Sequence, residues 1–459
     1  MRKPKIGLLG LTLDLYRRNL PVLMPRLENF SRELKGTLSK TVETVHCPLA
    51  YDRRSVDAGF RLFEKERVDG IIMVLLSYSQ SLETLPAASK TNIPLLIWNT
   101  QKLAEIDAAF GEKELLENHG MHGVQDLASV LLREGVDFSV ITGHYRSGSV
   151  LSAVNGWCEA ARAAAAISCA RVGRIGSLFP KMGDFAMEPA VLKSALGPSV
   201  LEIKNSELQK FGRHAFSGKD VTARYLPANV SWSGEVDAGA KSDALRSVQF
   251  LADMVKEKNL AALAVNFEGM GKEMPMPFLG VSCLMQEGIG YGGEGDIYSA
   301  TAVYLGQLLS DNRATFSEMF TTDYRNSRIF MSHMGESNIG LRRKGTVNLV
   351  LNRMELGNRV PSVVPVFSIK PGKYTLFNLT GVCGGGLKFI AGIVEVEDRK
   401  PLKAMNTPHF FIKTGRKVED FLTKYSREGG THHLAMAAGD VLGKLRFFCG
   451  IRKIPLAEI

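Results

Sequence analysis

The sequence predicts an α/β protein: two doubly wound α/β domains followed by a β-rich, barrel-like C-terminal domain. Three observations carry that expectation. Continuous apolar runs alternate with amphipathic stretches through the first third of the chain, the alternation resumes after residue 171, and beyond Asp311 strand-like runs follow one another across Gly- and Pro-containing turns. Strands of a parallel sheet are covered on both faces and so read as unbroken apolar runs, whereas strands without intervening helices read as a separate β-rich region.

The elements follow in order. "KIGLLGL", "VDGIIMVLL", "IPLLIWN" and "VDFSVITG" are the first four strands, and "VDAGFRLFEKER" and "GVQDLASVLLREG" have the helical spacing expected between them. These make an N-terminal domain over residues 1–171. "RVGRIGSLF", "VLEI" and "LAALAVNF" are strands of a central α/β domain over 172–310. "RIFMSHM", "GTVNLVLNRM", "KYTLFNLTGV" and "KFIAGIVEVED" are strands of a third domain over 311–459. At 459 residues two or three domains are the ordinary expectation.

Composition narrows the function. A hydrophobic fraction of 45% with 23% charged residues is that of a folded globular protein. The net charge of +10 invites a polyanionic partner, but the basic groups Arg17-Arg18, Arg53-Arg54 and Arg342-Arg343-Lys344 are scattered and no nucleic-acid motif accompanies them. No nucleic-acid partner is expected. The six cysteines are far apart and form no C-x-x-C pair, a reduced, intracellular pattern. Asp14 interrupts the apolar run of the basic N-terminus, and no stretch approaches the roughly 20 residues that cross a bilayer, so no membrane partner and a cytoplasmic location are expected.

Several motifs fail. "IGLLGL" lacks the three-glycine dinucleotide fingerprint. In "NFEGMGK" the pair Gly271-Lys272 suggests a phosphate loop, but Asn266 stands at the first glycine position and Glu273 where Ser or Thr would meet magnesium. No G-x-S-x-G elbow occurs.

Four segments of the second half concentrate metal-competent side chains: "GYGGEGDIYSA" with Glu294 and Asp296, "TFSEMF" with Glu318, "MSHMGE" with His333, and "GGTHHLAM" with His432 and His433. His333 stands where an apolar strand stops, with Glu336 three residues on. Carboxylates and imidazoles together can form a mixed oxygen and nitrogen shell. Such a shell suits manganese and accepts cobalt or magnesium, and the absence of cysteine ligands argues against structural zinc.

The ordered set "GEGD", "FSE", "SHM", "GGTHH" resembles the L-arabinose isomerase and L-fucose isomerase superfamily, most closely its arabinose isomerase branch. "RVGRIGSLFPKMGDF", "HGVQDLAS" and "IAGIVEVEDRKPL" extend the resemblance over nearly the whole chain. It implies a divalent metal, Mn2+ with Co2+ or Mg2+ as alternatives, held by Glu294, Glu318, His333 and one of the paired histidines, with His433 the position it favours. It also implies an enzyme, an intramolecular oxidoreductase that interconverts aldose and ketose forms of a free pentose, hexose or deoxy sugar through an enediol. Glu294 and Glu318 are the candidate acid and base, in an order left open. Leu15, Tyr16, His122 and His432 are the implied substrate contacts. The implied assembly is a homo-oligomer, hexamer favoured, with active sites between subunits. Where the family has Gln-His-Leu-Tyr this chain has "LDLY", with Leu13 and Asp14 in place of the first two, and Ile297-Tyr298 replaces Trp-Lys after "GEGD". Two rivals accompany this reading: an epimerase using the same enediolate chemistry, and a non-catalytic sugar-binding or regulatory relative.

Overall fold

The apolar runs become the centres of parallel sheets in a computed structural model that describes residues 2–270, 275–353 and 360–459. Gly271, Lys272 and Glu273, on which the rejected phosphate-loop reading turned, lie outside the described residues, as does Met354 at the end of "GTVNLVLNRM". The chain divides into two compact units. One comprises Arg2–Ala165 with Gly443–Lys453, the other Ala166–Leu442 with Ile454–Ile459. The helix Leu442–Arg452, far along the chain, thus belongs almost wholly to the first unit.

The first unit is a five-stranded parallel sheet of β1 (Lys5–Leu11), β2 (Glu43–Ala50), β3 (Gly70–Leu75), β4 (Leu95–Asn99) and β5 (Ser139–Thr142), in the order β2-β1-β3-β4-β5. Every residue of β3 is buried, as its unbroken apolar run requires. The sequence reading counted four strands here and missed β2. That strand lies at the sheet edge, is mostly half-buried and carries Pro48, so it has no continuous apolar run to read. The order reverses direction between β1 and β3, which opens a crevice at their carboxyl ends.

The second unit begins with β6 (Arg171–Ile175), β7 (Ser199–Ile203), β8 (Val230–Trp232), β9 (Ala262–Val265) and β10 (Gly290–Gly293). A four-stranded parallel sheet runs β10-β9-β6-β7. β11 (Ala314–Asp323) and β12 (Arg328–Ser332) open the barrel, β13 (Val347–Asn352) and β14 (Ser362–Val366) join β8 in a small sheet, and β15 (Gly372–Val382), β16 (Gly386–Val396), β17 (Phe410–Lys413) and β18 (His433–Ala438) complete the barrel. Its strands run β15-β18-β11-β12-β17-β16, and β16 returns to β15, so the sheet closes on itself. β19 (Leu456–Glu458) pairs in parallel with β16. The fold is therefore parallel α/β sheets followed by a closed β-barrel, as expected.

One helix joins these layers. Ile297–Ser310 packs against β10 and β9 of the parallel sheet and against β18, β11 and β15 of the barrel, and its residues are buried almost all round. Among the described residues no helix is long and apolar enough to cross a membrane, and the six cysteines are unpaired.

Candidate metal centre

Three adjacent barrel strands bring most of the metal-competent side chains together. β11 lies between β18 and β12, Glu318 of β11 pairs in register with His433 of β18 and with Ser332 of β12, and His333 directly follows β12. A strand spacing of about 4.8 Å sets such neighbours side by side. Glu294 comes from the parallel sheet, in the turn between β10 and the helix Ile297–Ser310. Its backbone is left-handed, with φ 55°, a conformation costly for a side chain with a Cβ. The carbonyl of Glu294 accepts a hydrogen bond from the Phe179 amide, which helps hold the turn.

The glycines of "GYGGEGD" make the approach possible. A Cβ at Gly292 would lie 2.1 Å from the Asp296 carbonyl oxygen, so only glycine lets the helix start so close to its strand. A Cβ at Gly293 would lie 2.8 Å from Cε1 of His333. Asp296 then caps the helix. Its Oδ1 accepts from the amides of Tyr298 and Ser299, 2.9 Å each, while Oδ2 faces Nδ1 of His433 at 3.1 Å.

The other two imidazoles are held in the same manner. His333 donates from Nδ1 to Glu336 at 2.8 Å, and Glu336 also accepts from the Tyr291 hydroxyl at 2.8 Å and the Gly335 amide at 2.8 Å. His432 donates from Nδ1 to Asp184 at 2.6 Å, and the same oxygen accepts the His432 amide at 3.0 Å. A buried network anchors the histidine pair from behind. Asn378 and the Thr431 hydroxyl both donate to the His433 carbonyl at 2.8 Å, and the Tyr425 hydroxyl donates to the Thr431 carbonyl at 2.5 Å. Phe185 stacks on the His433 ring at 5.0 Å, and Phe316 meets His333 and His433 edge-on at 4.8 Å each.

With Nδ1 committed to a carboxylate, each ring turns Nε2 the other way. Nε2 of His433 lies 3.5 Å from Glu318 and 3.7 Å from Glu294, Nε2 of His432 lies 3.6 and 3.7 Å from the same two, and Nε2 of His333 lies 3.8 Å from Glu318. Two overlapping sets, Glu294 with His432 and His433 and Glu318 with His333 and His433, each gather their ligand atoms within 4.8 Å. Nε2 of His433 and Oε2 of Glu294 are buried without any hydrogen-bond partner. A buried polar atom without a partner is costly, and two facing each other beside further carboxylate and imidazole donors fit a bound cation.

The electrostatics agree with crowded carboxylates. Burial alone would lower the pKa of His333, but the Glu336 carboxylate outweighs it and holds the value up at about 9. Burial likewise opposes His432, yet the bond to Asp184 raises it to about 10. Asp184, despite its own desolvation, falls to about 2 beside that imidazole. Positive charge is wanted here, whether protons or a metal supply it.

The structure therefore gathers Glu294, Glu318, His333, His432 and His433. Leu15, Tyr16 and His122 belong to the first unit, Leu15 and Tyr16 on the helix Asp14–Asn19 that follows β1 and His122 on the helix Gly120–Arg133. The Tyr16 hydroxyl lies 3.4 Å from Nδ1 of His119, His119 meets His122 edge-on at 4.6 Å, and Leu15 is exposed. Asp14, which stands where the resembling family has histidine, is tied to Arg17 at 2.8 Å and Arg18 at 3.0 Å. Sequence reasoning missed Asp184 and His119. Asp184 sits 248 positions from its partner, and no local pattern signals that pairing. His119 was legible as the third residue before His122, at the position that caps the helix Gly120–Arg133.

A parallel α/β sheet and a closed barrel that share one carboxylate and imidazole cluster define the class: an α/β protein with a candidate metal centre at the junction of the two layers. Family profiles for the L-arabinose isomerase central domain and C-terminal domain match residues 221–312 and 313–455, together just over half of the chain. The chain belongs to the L-arabinose isomerase family and is a sugar isomerase, an intramolecular oxidoreductase. Among its relatives, an L-arabinose isomerase of Nocardioides sp. is 25% identical over 396 residues, 80% of this chain and 76% of that one. Another from Yersinia pestis is 22% identical over 85% of this chain and 80% of its own length, and one from Acidothermus cellulolyticus is 23% identical over the same shares.

Proposed function

We propose that the protein is a metal-dependent ketol isomerase that interconverts the aldose and ketose forms of a free pentose, hexose or deoxy sugar through an enediol. The observation that carries this reading is the pair of buried, partnerless atoms, Oε2 of Glu294 and Nε2 of His433, facing each other among three imidazoles whose other nitrogens are held by carboxylates. Glu294, Glu318, His333 and His433 are the proposed ligands, with Mn2+ preferred and Co2+ or Mg2+ as alternatives. His433 is favoured over His432 because it belongs to both ligand sets and is fully buried, whereas the side chain of His432 is 39% exposed and free to meet a sugar.

When bound, such a cation supplies Lewis acidity toward adjacent sugar oxygens, which acidifies the neighbouring C–H. Glu318 and Glu294 do the proton work, one taking a proton from a carbon and returning it to its neighbour, the other serving as acid toward oxygen. Phe185 and Phe316 keep water from the imidazoles. His432, Leu15, Tyr16 and His122 are the proposed sugar contacts. The altered Leu13 and Asp14 support a sugar other than arabinose. The protein is further proposed to be cytoplasmic and to assemble as a homo-oligomer, hexamer favoured, with active sites between subunits.

The test is a metal assay joined to a sugar panel. Purified protein should retain about one divalent cation per chain, Glu294→Ala and His333→Ala should lose it, and aldoses and ketoses supplied with manganese should reveal one interconverted pair. Full metal content in either variant would remove the basis of the proposal. Mixing inactive His122→Ala and Glu318→Gln chains should restore activity if sites are shared, and proven mixed oligomers without activity would exclude sharing.

A further inference from the structure

The triplet Arg342-Arg343-Lys344 takes no part in the metal centre, yet it leads to a second built feature of the same unit. Arg343 and Lys344, between the turn Ile339–Leu341 and β13, form one wall of an open cavity of about 590 Å3, and Lys400 and Lys403 contribute from the segment that follows β16. Along β13, Val347 and Leu349 are buried while Asn348 and Val350 face outward, so alternation delivers an amide and an apolar side chain to the cavity. Val366, Leu402 and Met405 complete an apolar lining.

The charge balance is uneven. Arg343 donates to Asp398, but among the described residues no carboxylate forms an ion pair with Lys344, Lys400 or Lys403. Ser368, which lines the same cavity and is 2% exposed, carries a hydroxyl with no hydrogen-bond partner. A concave site with apolar walls and several cations of one sign concentrates positive potential inside it. Its volume falls in the range of about 300–1,000 Å3 usual for small-molecule sites, and it shares no lining residue with the metal centre.

We propose that this cavity binds a small phosphorylated compound, a sugar phosphate or similar phosphomonoester. A dianion with three acceptor oxygens matches one guanidinium and three ammonium groups better than a single carboxylate would. The apolar lining and the Asn348 amide receive the neutral body. The site does not depend on the proposed isomerase chemistry and can be tested without turnover.

The experiment is calorimetric titration of the full chain at low ionic strength with glucose 6-phosphate, inorganic phosphate and glucose. Glucose 6-phosphate should bind at one site per chain, phosphate more weakly, and both should weaken as salt rises. The exposed double change Lys400→Gln/Lys403→Gln should raise the Kd for glucose 6-phosphate about tenfold or more with unchanged circular dichroism and metal content, while Glu318→Gln should leave that Kd unaltered. The proposal is overturned if neither glucose 6-phosphate nor inorganic phosphate binds saturably, if the double variant binds as well as wild type, or if Glu318→Gln abolishes binding.

Discussion

Five histidines form two groups in this chain, and the same side chain is treated in opposite ways. In the second unit His333, His432 and His433 each keep Nδ1 on a carboxylate, of Glu336, Asp184 and Asp296 respectively. In the first unit His119 and His122 meet each other's rings, and His119 meets the Tyr78 ring at 6.1 Å and the Tyr16 hydroxyl at 3.4 Å, while among the described residues no carboxylate pairs with either imidazole. Fixed orientation and tautomer are what a metal ligand needs, whereas a group that meets a flexible polyol can remain loosely held. The contrast teaches where rigidity has been placed: at the carboxylate and imidazole cluster of the second unit rather than at the histidine pair of the first.

The sharpest way to break the comparison is to remove chemistry from the rigid group while keeping its shape. Glu318→Gln should lower turnover about 10²–10⁴-fold, the range of general-base contributions, while most bound metal remains. His122→Ala in the loose group should leave metal content untouched and lose activity through sugar binding, with KM raised so far that little turnover remains at ordinary sugar concentrations. If the two variants have the same profile in metal content, KM and kcat, the division of labour is wrong.

Next in size are the carboxylates behind the imidazoles. Glu336→Gln keeps the volume but weakens the bond to His333, and metal affinity should fall about 10–100-fold by competition with a chelator. Asp184→Asn should cost less, because its partner His432 is half-exposed and is assigned to the sugar rather than to the ion. A larger loss for Asp184→Asn would make His432 the ligand in place of His433.

Gly293→Ala tests how tightly the glycine segment fits. The added methyl would lie 2.8 Å from the His333 ring, which must shift, so overpacking should cost about 1–3 kcal/mol in thermal stability with reduced metal occupancy. A variant with wild-type melting and metal content would show that the ring has room to give.

Much of this was legible in the sequence, for identifiable reasons. His333 was expected at the end of a strand, and β12 ends at Ser332. The run "GIIMVL" could hardly be other than a buried strand, whereas "ETVHCPLA" could not be read because an edge strand presents no unbroken apolar face. β10 was equally silent: "GYGG" has almost no side chains, since its glycines exist to admit a helix and an imidazole. Glu294 and Glu318 were named from their segments, but their meeting depends on the register of β11 with β18 and on a left-handed turn, which only the closed barrel fixes.

The smallest expected effect is a difference in pH response between the two groups in protein stripped of metal. His333 has its pKa raised to about 9. Although burial opposes this, Glu336 prevails, so the folded state holds a proton that the unfolded chain releases above about 6.5. Its contribution to stability is therefore complete below that pH and is lost as pH rises through about 9. His119 is lowered, first by burial and then by its neighbour His122, so here the unfolded chain binds the proton more readily. Its contribution is complete above about 6.5 and declines as pH falls below it. Denaturant melts of the chelated protein should show a slope of stability against pH that is negative between about pH 7 and 9, and Glu336→Gln should remove the part due to His333 while leaving the part due to His432 beside Asp184. His119→Gln should leave that slope unchanged and alter only the acid side. Added manganese, which requires neutral imidazoles, should reverse the alkaline slope. An alkaline slope that Glu336→Gln leaves undiminished would mean that His333 does not carry the extra proton, and that its ring owes its order to packing against Phe316 rather than to Glu336.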